Sequence, residues 1–428
     1  MDALTRKQKL MEIRNNKNNI VMTGIPLQYK GETRIENVYK IPLDYLIYNK
    51  HNGRIGSEVL SYEKQNGALN PEVSEDNKII EKFLYESKID RNEKTMKSLL
   101  KIGQQRYGIV TSDGKIVDGN RRAMLLNRLF HNHEELGHSY AEVEKCKYFL
   151  AIILPDDAEE KDIQKLETIY QMGEDDKLDY DPIEKYLKCK ELLRLGFSYE
   201  DIAEFMSEKP PKVRQWKEIL DLMEDYLEQY DYEGIYTRLE KTEGPFVDLA
   251  GYLESYKKGG ANVRNAWDYQ DSDISDLKLV CFDYIRARYE GKEFRDIAKT
   301  GKEGSIFFYE DLWKDFLKEH EKLPKTEETV QELRENHPDD DLSMLLKSRD
   351  NEWIKSVKGL LKGNLNRFTR KLEDKRAANK PAELIERALN ALQAVDQNQE
   401  SFYDDPTILS MIKEINKLTW EMKKNLER

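Results

Sequence analysis

Cysteine is scarce in this chain of 428 residues, which has only Cys146, Cys189 and Cys281. They stand far apart and show no Cys-x-x-Cys spacing. That excludes a zinc ribbon and a disulfide framework, and it fits reduced thiols packed as small core residues. Long apolar runs are also missing. None approaches the ~20 residues that span a bilayer, and residues 1–9 lack the apolar centre of a secretory signal. The expectation is a cytoplasmic protein with no membrane partner. There is no excess of positive charge either: 70 Lys and Arg stand against 82 Asp and Glu, a net charge of −12. This excludes a protein that coats nucleic acid indiscriminately and confines phosphate contacts to local patches. Histidine is rare, and His131, His133 and His138 cluster with Glu134 in a polar segment at a helix end. That cluster falls short of the ligand count and geometry of a metal centre and is read as solvated. No Ser–His–Asp or Cys–His arrangement emerges.

Charge of both signs is abundant. A charged fraction of 36% against 39% hydrophobic suits long, exposed helices, and the length suits about two or three domains. Residues 1–36 read as a polar arm, and residues 38–46 as a strand running into a Pro-containing turn. Residues 49–77 read as a surface loop or insertion. Helical periodicity covers residues 76–87 and 92–102, with Gly103 suited to the C-cap. Short strands follow at 107–111 and 115–117, then a helix at 120–131. The unbroken apolar run at 147–154 predicts a strand buried on both faces. From residue 157 onward only helices are predicted. The expected fold class is therefore α+β: a small α/β head over residues 37–156, a helical segment over 157–230, and an all-α body over 231–428.

Within the head, the turn Asp118-Gly119-Asn120-Arg121-Arg122 lies between a β-branched strand and a helix with apolar Ala123, Leu125, Leu126 and Leu129. A strand, a glycine turn and a helix start bearing adjacent arginines make a physically sensible anion trap. The first helical turn presents backbone N–H groups, the helix dipole adds partial positive charge, and guanidinium forks complete the site.

A second motif spans residues 182–224. Asp181 and Pro182 open a helix, Gly196 closes it, and Ser198 caps the next, with Asp201 three residues on. After a short turn, a third helix carries Val213, Trp216, Ile219 and Leu220 inward. Lys209, Lys212, Arg214, Gln215 and Lys217 lie on its outer side. This is the pattern of a tri-helical, DNA-reading helix-turn-helix. Farther on, residues 347–376 read as a basic amphipathic helix, suited either to phosphate contact or to pairing with acidic helices nearby.

The order of these features is Ile41-Pro42-Leu43-Asp44, a Gly-ended helix, a strand, Gly119-Asn120-Arg121-Arg122-Ala123, a buried strand, Pro182-Ile183-Glu184 and the helix-turn-helix. It resembles the ParB/sulfiredoxin-like superfamily, specifically the ParB-like proteins of chromosome and plasmid partition, over roughly residues 37–227. The turn matches the family's Gly-Glu-Arg-Arg box, with Asn120 in place of Glu. In the family this box grips a nucleoside triphosphate (CTP in partition proteins), and the nucleotide controls closure of a dimeric clamp on DNA. The resemblance implies Asp118, Gly119, Asn120, Arg121 and Arg122 as phosphate-binding residues, and Arg106 as a neighbour of the nucleotide. It also implies a CTP or ATP cofactor with Mg2+, double-stranded DNA as partner, and a homodimer. The family's second phosphate motif, Glu-Asn-x-Gln-Arg, is replaced here by the run from Tyr170 to Asp176, in which Glu174 and Asp175 are the candidate magnesium ligands. The sulfiredoxin branch uses a catalytic cysteine in this box; with none here, sulfinic acid reduction is excluded. Two alternatives remain. One is an NTP-hydrolysing enzyme, nuclease or small-molecule kinase on the same head, and the other is a partner-recruiting protein of a mobile element or phage-defence system.

Overall fold

In the computed structural model, which describes residues 1–173, 181–325 and 328–427, one mixed sheet is followed by a helical body. Its strands are β1 (Ile20–Tyr29), β2 (Glu32–Pro42), β3 (Gly108–Val110), β4 (Ile116–Asp118) and β5 (Tyr148–Ile153), in the order β1-β2-β5-β3-β4. The central strand is β5, paired antiparallel with β2 and parallel with β3, so that Ala151 lies between Tyr39 and Gly108. Side chains alternate across a strand. Phe149, Ala151 and Ile153 therefore enter one core, while Leu150, Ile152 and Leu154 face another. Both faces of this strand are covered, as its apolar run predicts.

The helices accompanying the sheet are α1 (Ala3–Asn15), α2 (Gly56–Asn66), α3 (Ser74–Glu86), α4 (Ile89–Ile102), α5 (Asn120–His131), α6 (Tyr140–Val143) and α7 (Glu160–Met172). The body continues with α8 (Pro182–Arg194), α9 (Tyr199–Phe205), α10 (Pro210–Gln229), α11 (Glu243–Lys258), α12 (Asp271–Arg286) and α13 (Phe294–Ile297). It ends with α14 (Glu310–His320), α15 (Val330–Asn336), α16 (Leu342–Gln393), α17 (Glu400–Asp404) and α18 (Pro406–Leu426). Among the described residues, no helix is long and apolar enough to cross a membrane.

Three sequence expectations need correction. Residues 1–36 are not an arm: they form α1, the edge strand β1 and the start of β2. The buried guanidinium of Arg6 pins α1 by donating to the Asp113 carbonyl and pairing with Glu72 at 2.6 Å. The β1–β2 hairpin turns on Lys30 and Gly31, both at positive φ (53° and 83°), as a tight two-residue hairpin turn requires. Residues 49–77 are not a long loop, because α2 lies within them. The sequence suggests one helix over residues 341–375 and another over 381–394, but α16 runs unbroken from Leu342 to Gln393 through Pro381.

The helix-turn-helix shares one continuous apolar core with the body, from Ile183 and Trp216 through Phe282 and Trp313 to Phe368. At its centre, Asp350 accepts from the Tyr232 hydroxyl and from the guanidiniums of Arg238 and Arg286, the latter at 2.9 Å. At the end of the basic helix over 347–376, three charges meet neighbouring acids: Lys375 lies 2.8 Å from Asp311, Lys371 3.6 Å from Asp315, and Arg376 3.6 Å from Asp296.

Candidate functional site

The turn between β4 and α5 is built on Gly119, which sits at φ 100° and ψ 14° as the N-cap of α5 and offers no side-chain cap. Its left-handed conformation suits glycine. Space imposes a second requirement, since a Cβ here would lie 2.7 Å from Cζ of Phe149 on the central strand. Gly108 packs against the same ring, where a Cβ would fall 2.4 Å from Phe149 Cζ. The two glycines let the corner close directly over β5.

The four polar residues of the turn divide by environment. Asn120 is buried; its amide donates to the Ile116 carbonyl at 3.0 Å, and its oxygen accepts from the backbone N–H of Asn49 at 2.8 Å. A glutamate here could accept from Asn49 but would set its carboxylate against the Ile116 carbonyl. The neutral amide satisfies both groups. Arg122 is half-buried and reaches back under the turn. It pairs with Asp118 at 2.8 Å and donates to the carbonyls of Arg106 and Tyr107, the latter at 3.1 Å. Arg121 is half-buried at the helix start, and Arg121, Arg106 and Asp118 each have an interaction partner. The fold thus brings Asp118, Gly119, Asn120, Arg121, Arg122 and the backbone of Arg106 together at one corner. Glu174 and Asp175 lie outside the described residues. Among the described residues no three His, Cys, Asp or Glu side chains converge as metal ligands. In the histidine cluster, His133 Nδ1 lies 3.0 Å from the His138 carbonyl, and His131 faces Asp44 at 3.9 Å.

Behind the corner lies a polar network not anticipated from the sequence. Asn49 and Asn52 are buried in the loop that Asn120 touches. The carboxylate of Glu167 on α7, fully buried, accepts from the Gly53 N–H at 3.1 Å and pairs with Lys188 of α8 at 2.9 Å. Lys188 also donates to Gln164 at 2.7 Å. From the same helix α7, Gln171 donates to the Val117 carbonyl at 3.2 Å. Burial raises the Glu167 carboxyl above its ordinary range, while Lys188 and the Gly53 N–H oppose the shift. One turn before Lys188, Glu184 accepts from the N–H groups of Gly56 and Ser57 at 2.9 and 3.0 Å and from the Ser57 hydroxyl. It thereby caps the start of α2, which has no cap of its own. Burial, and the nearby Glu58 against the hydrogen bonds from Ser57, pushes Glu184 up to about 7. A cavity of about 330 Å³, lined by Asn49, His51, Lys115, Glu160, Ile163 and Gln164, adjoins this network. The sequence signal for the network was the Glu184–Lys188–Leu192 spacing. It puts two charged residues on the inward face of α8, but their partners lie more than 20 residues away.

The segment expected to form a helix-turn-helix folds as the three helices α8, α9 and α10. Ser198 caps α9 in a capping box with Asp201, and Gly196 turns the chain at φ 81°. On α10, Val213, Trp216, Ile219 and Leu220 are buried, and Lys212, Arg214 and Gln215 are exposed. Lys209 is the exposed N-cap of that helix, and Lys217 is half-buried. Arg214 pairs with Glu200 at 2.8 Å and lies over the Tyr199 ring; Lys217 pairs with Asp221; Lys212 donates to Gln215 at 3.1 Å. Among the described residues, Lys209 and Lys212 have no carboxylate partner.

Compared with protein-family models and with curated proteins, the chain matches none.

Proposed function

We propose that this chain is a ParB-like, nucleotide-controlled DNA-binding protein that works as a homodimer on double-stranded DNA. In this reading, CTP or ATP, accompanied by Mg2+, places its phosphates at the Asp118–Arg122 turn, and the outer face of α10 contacts the duplex. The observation that carries it is the wiring of the corner to the helix-turn-helix. Gly119 opens a helix without a side-chain cap, next to Arg121 and Arg122. Asn120 is bonded to Asn49, whose side-chain amide lies 3.5 Å from Glu167, and Glu167 is paired with Lys188 on the first helix of the tri-helical unit. Helix starts attract phosphate oxygens through backbone donors and dipole. A ligand that shifts α5 therefore acts on α8 through buried hydrogen bonds that end in the Glu167–Lys188 ion pair.

On the DNA side, Lys209, Lys212, Arg214, Gln215 and Lys217 lie within about two turns at the start of α10, all exposed except the half-buried Lys217. The exposed ion pairs of Arg214 and Lys217 are weak in water and exchange readily for phosphate contacts. The test is retention of duplex DNA at moderate salt with CTP, ATP, GTP or UTP. Retention should depend on one nucleotide and be lost in the charge-reversed variant Lys212→Glu/Arg214→Glu. Absence of retention with all four nucleotides would overturn the proposal.

A further inference from the structure

A cavity of about 440 Å³ lies in the helical body, where α12, α14 and α16 meet the C-terminal end of α10. Its lining includes Tyr230, Leu279, Arg286, His320, Arg349 and Trp353. The buried charges on this side do not balance. The guanidiniums of Arg238 and Arg286 share the single carboxylate of Asp350. Arg286 also lies over the rings of Tyr230 and Trp353, at 4.7 and 4.3 Å. Arg349 has no carboxylate partner among the described residues. It is 8% exposed and donates to the carbonyls of Glu328 and Tyr230 at 2.8 and 2.9 Å, while its Nε has no hydrogen-bond partner. His320 is equally buried. Its Nε2 lies 3.0 Å from Asp283, which also accepts from the Tyr230 hydroxyl, and its Nδ1 has no partner. A buried cation without a counter-charge is costly, and it stands here at the wall of a cavity large enough for a small ligand.

The opposite end of the cavity is acidic. Asp276 and Glu321 both line it, and neither has an ion-pair partner among the described residues. Burial, with Asp273 and Glu321 nearby, raises the Asp276 carboxyl above its ordinary range. The other charged lining residues, Asp231, Lys325 and Glu328, are exposed to solvent. Between the two ends the lining is apolar, with Leu279 and Val280 of α12 and Leu317 of α14.

We infer that this cavity binds a short peptide of about three residues, its C-terminal carboxylate on Arg349 and its amino end between Asp276 and Glu321. A guanidinium fork matches a carboxylate, and the acids match an ammonium. Length decides between ligands. Asp276 and Arg286 are ten residues apart on α12, so their backbones lie about 15 Å apart at the helical rise. A free amino acid carries its two charges side by side and cannot reach both ends. An extended chain advances about 3.3–3.6 Å per residue, so three residues cover about 10 Å, and the long Arg349 and Glu321 side chains close the remainder. The cavity volume falls in the usual range for small-ligand sites, about 300–1,000 Å³.

The inference is independent of the proposed function, and its test uses neither nucleotide nor DNA. Calorimetric titration of the full chain compares trialanine and trileucine, each as the free acid and as the C-terminal amide. At least one free acid should bind saturably with a Kd below about 1 mM, and its amide should bind at least about tenfold more weakly for want of the carboxylate. Leu279 is 36% exposed, so Leu279→Trp should melt as the wild type does, fill the cavity and abolish binding. Arg349→Lys keeps the charge but loses the fork, and should weaken binding by about tenfold as well. No saturable binding of either tripeptide at about 5 mM, equal affinity for acid and amide, or binding that survives in Leu279→Trp would each overturn the inference.

Discussion

At the scale of single residues, the corner depends on atoms that are absent as much as on those present. Gly119 supplies a left-handed backbone and clearance for Phe149, two requirements that no other residue meets together. Gly119→Ala should destabilise the fold by about 2–4 kcal/mol, combining backbone strain with overpacking. Urea unfolding measures this, and a change within about 0.5 kcal/mol would refute the packing account. The glycine and the two arginines were legible in the sequence because a strand–turn–helix corner is a local pattern. The roles of their neighbours were not. Asn120 bonds Asn49, 71 positions earlier, and Arg122 binds the backbone carbonyls of Arg106 and Tyr107, whose amino-acid identity carries no such information.

At the scale of elements, boundaries set by adjacent residues were legible in the sequence and those set by distant partners were not. The start of α5 at Asn120 and the cap of α9 at Ser198 are set by adjacent residues. By contrast, β1 contains Gly24 at φ 76° and Pro26, both of which argue against a strand. They are tolerated because β1 is an edge strand with an irregular register between Met22 and Ile25. The cap of α2 was equally hidden, since it comes from Glu184 on another helix. That cap has a pH signature. Folding raises Glu184 from an ordinary 4.5 to about 7, so the folded state holds this proton more tightly. The resulting stabilisation is complete below about pH 4.5 and is lost as pH rises through 7, by at most ~3 kcal/mol. Urea melts should show the wild type losing stability relative to Glu184→Gln between pH 5 and 8. A difference that stays flat with pH would count against the burial-driven rise of this carboxyl.

At the scale of the whole molecule, two buried charge clusters join parts distant in sequence. Asp350 gathers Tyr232, Arg238 and Arg286 inside the body. Asp350→Asn should cost about 3–5 kcal/mol by leaving guanidiniums without their carboxylate; a thermal melt unchanged from wild type would contradict that. The Lys188–Glu167 pair joins the helix-turn-helix to the head. Lys188→Met should destabilise by a similar amount through the stranded Glu167, read as a lowered urea midpoint, and an unaltered midpoint would count against the wiring. The broad division into a sheet-containing head and a helical body was legible because periodicity reports it. The continuity of the helix-turn-helix with the body core was not, because Ile183 and Phe368 meet one cluster only after folding. The Gly119–Arg122 corner is proposed to hold a nucleotide. Thermal shift with CTP, ATP, GTP and UTP in magnesium tests it most directly, because a ligand stabilises only the state it binds. The melting temperature should rise with CTP or ATP, and the rise should disappear in Arg121→Ala/Arg122→Ala; no rise with any nucleotide, or a rise that survives loss of both arginines, would rule out a nucleotide at this corner.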